Sequence, residues 1–316
     1  MTSVTATIAA LAGAISMIGI ASNLISILVF MKQGVLENTN ISYTALAISD
    51  LLSLVATLCL SIFWNQWFLN SGLSPEFIET EAAFASLPYA CFSRITGLVT
   101  AFITFERCMC VVWPLKVKRI LTSAVTTMFI VSMYFIMCLT MVPVYSTLTL
   151  GWRFDPWTNM TFLRVFSGEN ASIISDISFL LHVVIQLAAF FAVLIFTVAL
   201  VFCLRQKAAW RTQQTKAQNA IKNATKQEKA IKMVIMIAAT YVACYLPPVV
   251  GITLTVLYPH FSPLGKYKNI FFVFWSLFVL FGALNSSVNL LVYYVMSSKF
   301  RRTCQKMLAL LRKAEL

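Results

Sequence analysis

The sequence predicts an all-α membrane protein, built as a seven-transmembrane helix bundle with a C-terminal amphipathic interfacial helix. Two observations on composition support this prediction. Of the 316 residues, 59% are apolar and only 11% are charged, whereas a typical soluble domain carries about 25% charged residues. The mean hydropathy is +0.83. Such a chain cannot cover a water-facing surface, which excludes an ordinary soluble enzyme, a disordered protein and a disulfide-stapled secreted scaffold.

The third observation is the spacing of the charges, which leaves seven long stretches with one charged residue or none. A helix needs about 20 apolar residues to cross the hydrocarbon core, and backbone groups in lipid must be satisfied within the segment. The sequence therefore predicts seven membrane-spanning helices, at roughly 8–31, 41–63, 84–110, 123–147, 177–204, 233–257 and 270–296.

The Lys and Arg residues of the connections predict the orientation. One face of the predicted bundle carries 18 of them and the other carries 4. Basic connections stay in the cytoplasm, so we expect a multi-pass plasma-membrane protein with residues 1–7 outside the cell, a transmembrane domain over 8–296 and a cytoplasmic segment over 297–316. The net charge of +13 then indicates contact with an anionic inner leaflet and not with nucleic acid.

Two features of the predicted outer face concern covalent chemistry. Asn159 and Asn170 begin glycosylation sequons in the loop between the fourth and fifth spans. All eight cysteines lie within or at the ends of predicted helices, so no disulfide is expected on the outer face.

The segment after the seventh span is amphipathic. Apolar residues recur at helical spacing from Phe300 to Leu311, and Lys or Arg residues fill much of the other face. This pattern predicts a helix that lies on the inner leaflet. Cys304 falls on its apolar face, where it is either a palmitoylation site or a plain buried thiol.

Short motifs in five of the seven predicted helices carry a family resemblance, and they occur in the family's order. They are Ser22-Asn23, Leu46-Ala47-Ile48-Ser49-Asp50, Glu106-Arg107-Cys108 followed by Pro114-Leu115, Cys244-Tyr245-Leu246-Pro247 and Asn289-Leu290-Leu291-Val292-Tyr293. With these motifs the chain resembles a rhodopsin-like G-protein-coupled receptor over nearly its whole length. The stretch from Phe105 to Lys118 also looks like divergent invertebrate receptors, particularly molluscan peptide-receptor-like and chemosensory groups.

The resemblance implies a receptor that binds an extracellular ligand, a peptide or a small chemosensory molecule, and activates a heterotrimeric G protein. Glu106, Arg107, Leu115 and Tyr293 are then the coupling residues, with Arg107 able to pair with Glu106 until a G protein engages it. Tyr245, Pro247 and Asn289 would form the activation hinge. A proline removes a helix hydrogen bond, so the sixth helix is expected to kink at Pro247.

Asp50 is expected at mid-membrane, where a carboxylate is costly and usually functional. The resemblance places Thr96, Asn285, Ser286 and Asn289 around it and implies an internal sodium ion as the one cofactor. The alternative is a polar network around Asp50 that holds no ion.

Six residues are candidates for contact with the ligand. They are Tyr89, Ser93, Arg94, His182, Tyr245 and Trp275. Tyr89 stands where amine receptors carry an Asp, which argues against a biogenic amine. Arg94 lies in the outer half of the third span, and an uncompensated membrane arginine should face water or a partner. It pairs either with an anionic group of the ligand or with an acid of the chain, or it extends to the interface.

The chain departs from the family pattern, so other functions must also be considered. Ala82 replaces the cysteine of the outer disulfide and Leu290 the proline of the seventh helix. A retinal protein is excluded because the last span has no Lys. With two histidines and no metal-binding pattern an enzyme is not expected. A secondary transporter with an intramembrane Asp site is the alternative.

Overall fold

The computed structural model describes residues 3–34, 38–65, 78–155, 159–213, 218–258, 260–262 and 265–314. Its long helices are α1 (Ser3–Gln33), α2 (Asn38–Phe63), α4 (Leu87–Val112), α6 (Ser123–Ser146), α7 (Ala171–Gln213), α8 (Gln218–Leu257) and α9 (Lys268–Met296). The shorter elements are α3 (Ile78–Glu81), a π-helical turn (Ala82–Ser86), α5 (Pro114–Ile120), the hairpin of β1 (Leu148–Asp155) and β2 (Met160–Ser167), and α10 (Ser298–Ala314).

Within these described residues, seven helices are long and apolar enough to cross a membrane, as the sequence predicts. Two boundaries are informative. Helix α1 begins at Ser3, so most of the predicted outer segment 1–7 is helical. Helix α7 has 43 residues and a length of about 64 Å at 1.5 Å per residue. It therefore continues well past the hydrocarbon core and beyond both ends of the predicted span 177–204.

The bundle has two ends, which we name by their residues. The basic end carries Lys32, Lys116, Arg119 and Lys299, and the hairpin end carries β1 and β2. Helix α4 lies at the centre and contacts α2, α6, α7 and α8, whereas α1 packs on α2 and α9. Side chains that project from α4 in several directions therefore meet neighbouring helices.

The antiparallel hairpin lies where the sequence predicts only a loop between the fourth and fifth spans. Leu148 pairs with Ser167 and Asp155 pairs with Met160. The side chains of Leu150, Trp152 and Phe154 share one face of β1 and are exposed. Asn159, directly before β2, has a φ of 53°, which lies in the left-handed region that Asn tolerates.

The start of α4 is fastened by hydrogen bonds at the place where the family resemblance implies a disulfide. The Tyr145 hydroxyl donates to the Ala83 carbonyl oxygen at 2.7 Å. The Ser86 hydroxyl donates to Glu81 Oε1 at 2.7 Å, and the Trp64 indole also donates to this carboxylate. Burial raises the pKa of Glu81, and these two donors offset part of that shift. All eight cysteines of the chain are free, so polar contacts hold the turn.

At the basic end α9 stops at Ser297, whose backbone is extended. The Ser297 hydroxyl accepts a hydrogen bond from the backbone N–H of Phe300 at 3.2 Å, which caps the start of α10. Phe300 is fully buried against Phe30 and Tyr293. One aromatic side chain therefore anchors α10 to the bundle.

Tyr145→Phe should lower the stability of the folded protein by about 1 kcal/mol, because it removes the hydrogen bond to the π-helical turn and leaves the ring in place. Thermal unfolding in detergent micelles measures this. Tyr258→Phe is the matched control, since Tyr258 is exposed at the same end of the bundle. Equal unfolding temperatures of the two variants would show that the bond does not fasten the turn.

Candidate functional site

A buried carboxylate joins three helices at the centre of the bundle. Asp50, fully buried on α2, accepts hydrogen bonds at Oδ1 from the hydroxyls of Thr96 (2.9 Å) on α4 and Ser286 (2.8 Å) on α9. Its Oδ2 accepts from Asn289 Nδ2 at 2.7 Å. Asn23 on α1 extends the network by donating to the Ser286 carbonyl oxygen at 2.8 Å. Four helices are thus tied to a single polar centre.

The donor set around Asp50 fits a hard cation. Oxygen ligands suit such ions, and the carboxylate and the hydroxyls of Thr96 and Ser286 supply three of them within one cluster. Asn285 is buried nearby on α9 but makes no hydrogen bond to Asp50 among the described residues. The residues predicted for the pocket thus come together, with Asn285 outside the direct contacts of the carboxylate.

Stacked tyrosines connect α4, α7 and α8 one layer nearer the hairpin end. The Tyr245 hydroxyl lies 2.8 Å from Ser93 Oγ, and the Tyr245 ring stacks on Tyr241 with centroids 4.4 Å apart. Gln186 Nε2 donates to the Tyr241 hydroxyl at 3.2 Å. Gly97 makes this packing possible, because a Cβ there would overlap the Tyr241 hydroxyl.

The two prolines of the sixth span lie inside α8. The helix runs without interruption from Gln218 to Leu257 and includes Pro247 and Pro248. Neither proline has an N–H, so the carbonyls four residues earlier, those of Ala243 and Cys244, have no helical donor. Tyr245 follows directly. The break in main-chain hydrogen bonding therefore lies beside the residue that contacts Ser93.

Arg94 and His182 lie together between α4 and α7. Arg94 Nε donates to the His182 carbonyl oxygen at 3.1 Å, and Arg94 Nη1 donates to the Ala90 carbonyl oxygen at 2.7 Å. His182 Nε2 lies 3.3 Å from Thr140 Oγ1 on α6. Both side chains are buried. Arg94 thus binds neutral carbonyl groups, and no carboxylate of the described side chains lies within 4.0 Å of it.

The other predicted ligand residues lie on the opposite side of α4. The Tyr89 hydroxyl donates to the Phe278 carbonyl oxygen at 3.3 Å. Trp275 is half-buried and packs in the same apolar cluster as Tyr89, with its ring edge-on to Phe278. Tyr89 and Trp275 thus form one group toward α9, while Arg94 and His182 form another toward α7.

At the basic end Glu106 and Arg107 bind separate hydroxyls of α2 and not each other. The Ser42 hydroxyl donates to Glu106 Oε2 at 3.1 Å, and Arg107 Nη2 donates to Thr39 Oγ1 at 2.7 Å. No salt bridge joins the two side chains, although both are among the described residues. The expected pairing is therefore wrong for this conformation. Successive helix residues project about 100° apart, and α2 offers each side chain its own partner.

Arg107 also lines a cavity of about 500 Å³ that opens at the basic end. Tyr43, Tyr293 and Phe300 line it as well. Arg107 Nε and the hydroxyls of Tyr43 and Tyr293 are buried and have no hydrogen-bond partner. Of the predicted coupling residues, Arg107 and Tyr293 meet at this cavity and Glu106 lies beside it. The side chain of Leu115, on α5, lies outside the described residues.

The predicted modification sites occupy opposite ends of the bundle. Asn159 and Asn170 are both exposed at the hairpin end, with φ values of 53° and 64°. Cys304 is half-buried on α10, where it packs against the core cluster that contains Phe300. Glycosylation and palmitoylation of these residues stay predictions.

Five further residues belong to these sites, although the sequence motifs do not include them. Three of them are polar or aromatic residues at the start of the second span, and a fourth is the tyrosine one turn before Tyr245; these positions could have been noticed in the sequence. The fifth is a glutamine of the fifth span, for which the sequence offers no such signal. The five are Thr39, Ser42, Tyr43, Gln186 and Tyr241.

A bundle of seven apolar helices, with a buried polar centre and an arginine-lined cavity at one end, defines the class of seven-helix membrane receptors. Comparison with known families agrees with this assignment. The family model of the 7 transmembrane receptor (rhodopsin family) matches residues 22–293. The chain belongs to this family, and it is a receptor of the membrane and not an enzyme.

Several mammalian receptors are similar to the chain over most of its length. The growth hormone secretagogue receptor type 1 of Sus scrofa is 26% identical over 308 residues, which are 93% of this chain and 78% of that receptor. The receptor of the same name from Rattus norvegicus is 26% identical over 307 residues, covering 93% and 79%. That of Homo sapiens is 26% identical over 304 residues, covering 91% and 76%. The resemblance to invertebrate receptors stays a prediction.

Gly97→Ala should destabilise the receptor by about 1–3 kcal/mol, because the added methyl group overlaps the Tyr241 hydroxyl in a tightly packed layer. Adding Tyr241→Phe removes the overlapping oxygen and should restore part of the loss. Thermal unfolding of both single variants and the double variant measures this coupling. Strictly additive effects would contradict the proposed contact.

Proposed function

We propose that this protein is a G-protein-coupled receptor of the plasma membrane that binds an extracellular peptide or small chemosensory molecule and activates a heterotrimeric G protein. The observation that carries the proposal is the position of Arg107, which lines the cavity at the basic end while one of its nitrogens has no partner. A guanidinium in such a cavity can bind acceptor groups of a protein segment that enters it. A secondary transporter is not favoured by the family match.

The orientation is part of the same proposal. The 18 Lys and Arg residues of the basic connections favour a cytoplasmic basic end by the positive-inside rule. The hairpin end, with the exposed sequon residues Asn159 and Asn170, and the N-terminus then face the outside. In this arrangement α10 carries its basic residues along an anionic inner leaflet.

Activation is proposed to connect the two ends through the residues of α4. A ligand at the hairpin end changes the packing around Ser93 and Tyr245, beside the two missing main-chain hydrogen bonds of α8. The change reaches the Asp50 network, which ties α2, α4 and α9 together. Arg107 then exchanges the Thr39 hydroxyl for acceptors of the G protein. Ligand and G protein are coupled because both bind one packing better than the other.

The Asp50 centre is also proposed to hold a sodium ion. Asp50, Thr96 and Ser286 would bind it, with Asn285 and Asn289 beside them. The bound ion supplies positive charge next to a carboxylate that is otherwise costly in the membrane.

Arg107→Ala should abolish G-protein dissociation in cells, a loss of at least about tenfold in basal or ligand-driven signal, because the guanidinium hydrogen bonds to the G protein are removed. The measurement is G-protein dissociation in cells that express the receptor with an N-terminal epitope. Staining this epitope without permeabilisation allows the variants to be compared at equal surface expression, and it also tests the orientation.

Arg119→Ala is the matched control, since Arg119 is an exposed arginine at the same end but outside the cavity. A full signal from Arg107→Ala at equal staining would contradict the coupling role. Ion-coupled uptake of a solute by the same cells would favour the transporter.

Sodium should raise the unfolding temperature of the purified receptor, and Asp50→Asn should remove this effect. A ligand that binds only the folded state stabilises it by about 1.4 kcal/mol at tenfold excess over its Kd. The experiment compares NaCl with choline chloride at equal ionic strength. Glu81→Gln is the control for a carboxylate outside the bundle centre. Equal stabilisation by the two salts in the wild type would favour the ion-free polar network.

A further inference from the structure

Arg94 is a charged group that the described part of the chain surrounds with neutral partners. It is 7% exposed and lies seven residues, or about 10 Å, inside the hairpin end of α4. Its two hydrogen bonds go to backbone carbonyls. Arginine keeps its proton under these conditions, so a full positive charge stands within the membrane beside neutral groups.

Beside it, His182 presents a buried acceptor without a partner. The Thr140 hydroxyl has one proton and donates it to the Met137 carbonyl oxygen at 2.6 Å. The bond between Thr140 and His182 therefore requires the imidazole Nε2 to be the donor. In the neutral imidazole the proton is then on Nε2, and Nδ1 carries a lone pair. This Nδ1 is buried and has no hydrogen-bond partner.

The two groups are held in place from two sides. The Arg94 Nε–H binds the His182 carbonyl oxygen, which fixes the guanidinium against α7. The His182 ring is fixed by Thr140 on α6, and the Ser178 hydroxyl, one turn earlier on α7, donates to the Thr140 carbonyl oxygen at 3.4 Å. The guanidinium and the imidazole are thus each held in place, the first with further N–H groups that can donate and the second with an Nδ1 lone pair that can accept.

This pair defines a ligand chemistry, and the inference rests on the proposed receptor function. We propose that the ligand carries a carboxylate with an N–H or O–H donor on the adjacent carbon. Arg94 binds the carboxylate, and His182 Nδ1 accepts the hydrogen bond from the neighbouring donor. Two sources share this chemistry, the C-terminal residue of a peptide, with its amide N–H, and a small 2-hydroxy or N-acylamino acid.

The arrangement also explains what the site rejects. An ammonium group meets the positive charge of Arg94, and an ester or primary amide replaces the carboxylate by a neutral group that leaves this charge uncompensated. Since hydrogen bonds between charged partners are roughly twice as strong as neutral ones, the free carboxylate is the group that distinguishes ligands here. The adjacent donor adds the second contact.

The test uses four probe pools on the full-length receptor, with two readouts. The pools are short peptides with a free C-terminus, the same peptides amidated, N-acetylamino and 2-hydroxy acids, and plain carboxylic acids without the adjacent donor. Thermal stabilisation of the purified receptor reports binding, and G-protein dissociation in cells reports signalling. The first and third pools distinguish the peptide source from the small-acid source.

Three variants assign the contacts. Arg94→Gln should weaken binding of the active acid at least about tenfold, and Arg94→Lys should restore part of it by keeping the charge. In His182→Gln the side-chain amide can still donate to Thr140, but the Nδ1 acceptor is gone. This variant should weaken the binding of acids that carry the adjacent donor and leave the binding of plain acids unchanged. His260→Gln is the control, since His260 is exposed at the hairpin end.

Several results would overturn the proposal. They are equal action of an active free peptide and its amidated form, undiminished acid binding by Arg94→Gln, and failure of every acid pool to stabilise the wild type. Non-additive stability effects of Arg94→Gln and Glu76→Gln would show that Arg94 pairs with Glu76, an acid of the chain outside the described residues, and would also overturn the proposal.

An amine that signals through Arg107 would overturn this site and leave the receptor function standing. An acid that stabilises the receptor without G-protein dissociation would support the site and contradict the coupling.

Discussion

The structure depends on one constraint, that every polar group placed in the membrane must find its partner inside the bundle. Asp50 illustrates it most directly. Three donors from two other helices satisfy its two oxygens, and Asn23 brings in a fourth helix through Ser286. Removing one member leaves a buried charge or dipole without compensation, which costs more than the bond contributes. The carboxylate therefore fixes how α1, α2, α4 and α9 lie against one another.

Helix α4 distributes the other polar groups by its register. Thr96 and Arg107 are eleven residues apart, so they project only about 20° from each other, and both bind side chains of α2. Arg94 is two residues before Thr96 and projects about 200° away, which directs it to α7. One helix thus presents the Asp50 centre and the cavity arginine on one side and the Arg94 pair on the other. A shift or rotation of α4 changes all three sites together.

Much of the fold and of the Asp50 cluster could be predicted from the sequence, because composition and charge spacing show directly which segments can lie in the membrane. The seven spans and the cluster of Asp50, Thr96, Ser286 and Asn289 agree with the prediction. Partners of single side chains could not be predicted in the same way. The sequence does not say that Glu106 and Arg107 turn to different hydroxyls of α2, since that depends on the rotation of two helices. The hairpin could have been predicted, because apolar residues alternate from Leu148 to Phe154 as they do in a β-strand.

The hairpin end shows how a receptor of this family can be held without a disulfide there. A disulfide acts mainly by restricting the unfolded chain, whereas the bonds from Tyr145 and Ser86 act only in the folded state. They fasten the π-helical turn just before α4, one turn ahead of Tyr89 and two turns ahead of Arg94. Because these bonds are individually weak, the start of α4 can adjust by breaking and reforming them. The same feature that stands in place of the covalent link therefore leaves the α4 residues proposed to contact the ligand free to respond to what binds beside them.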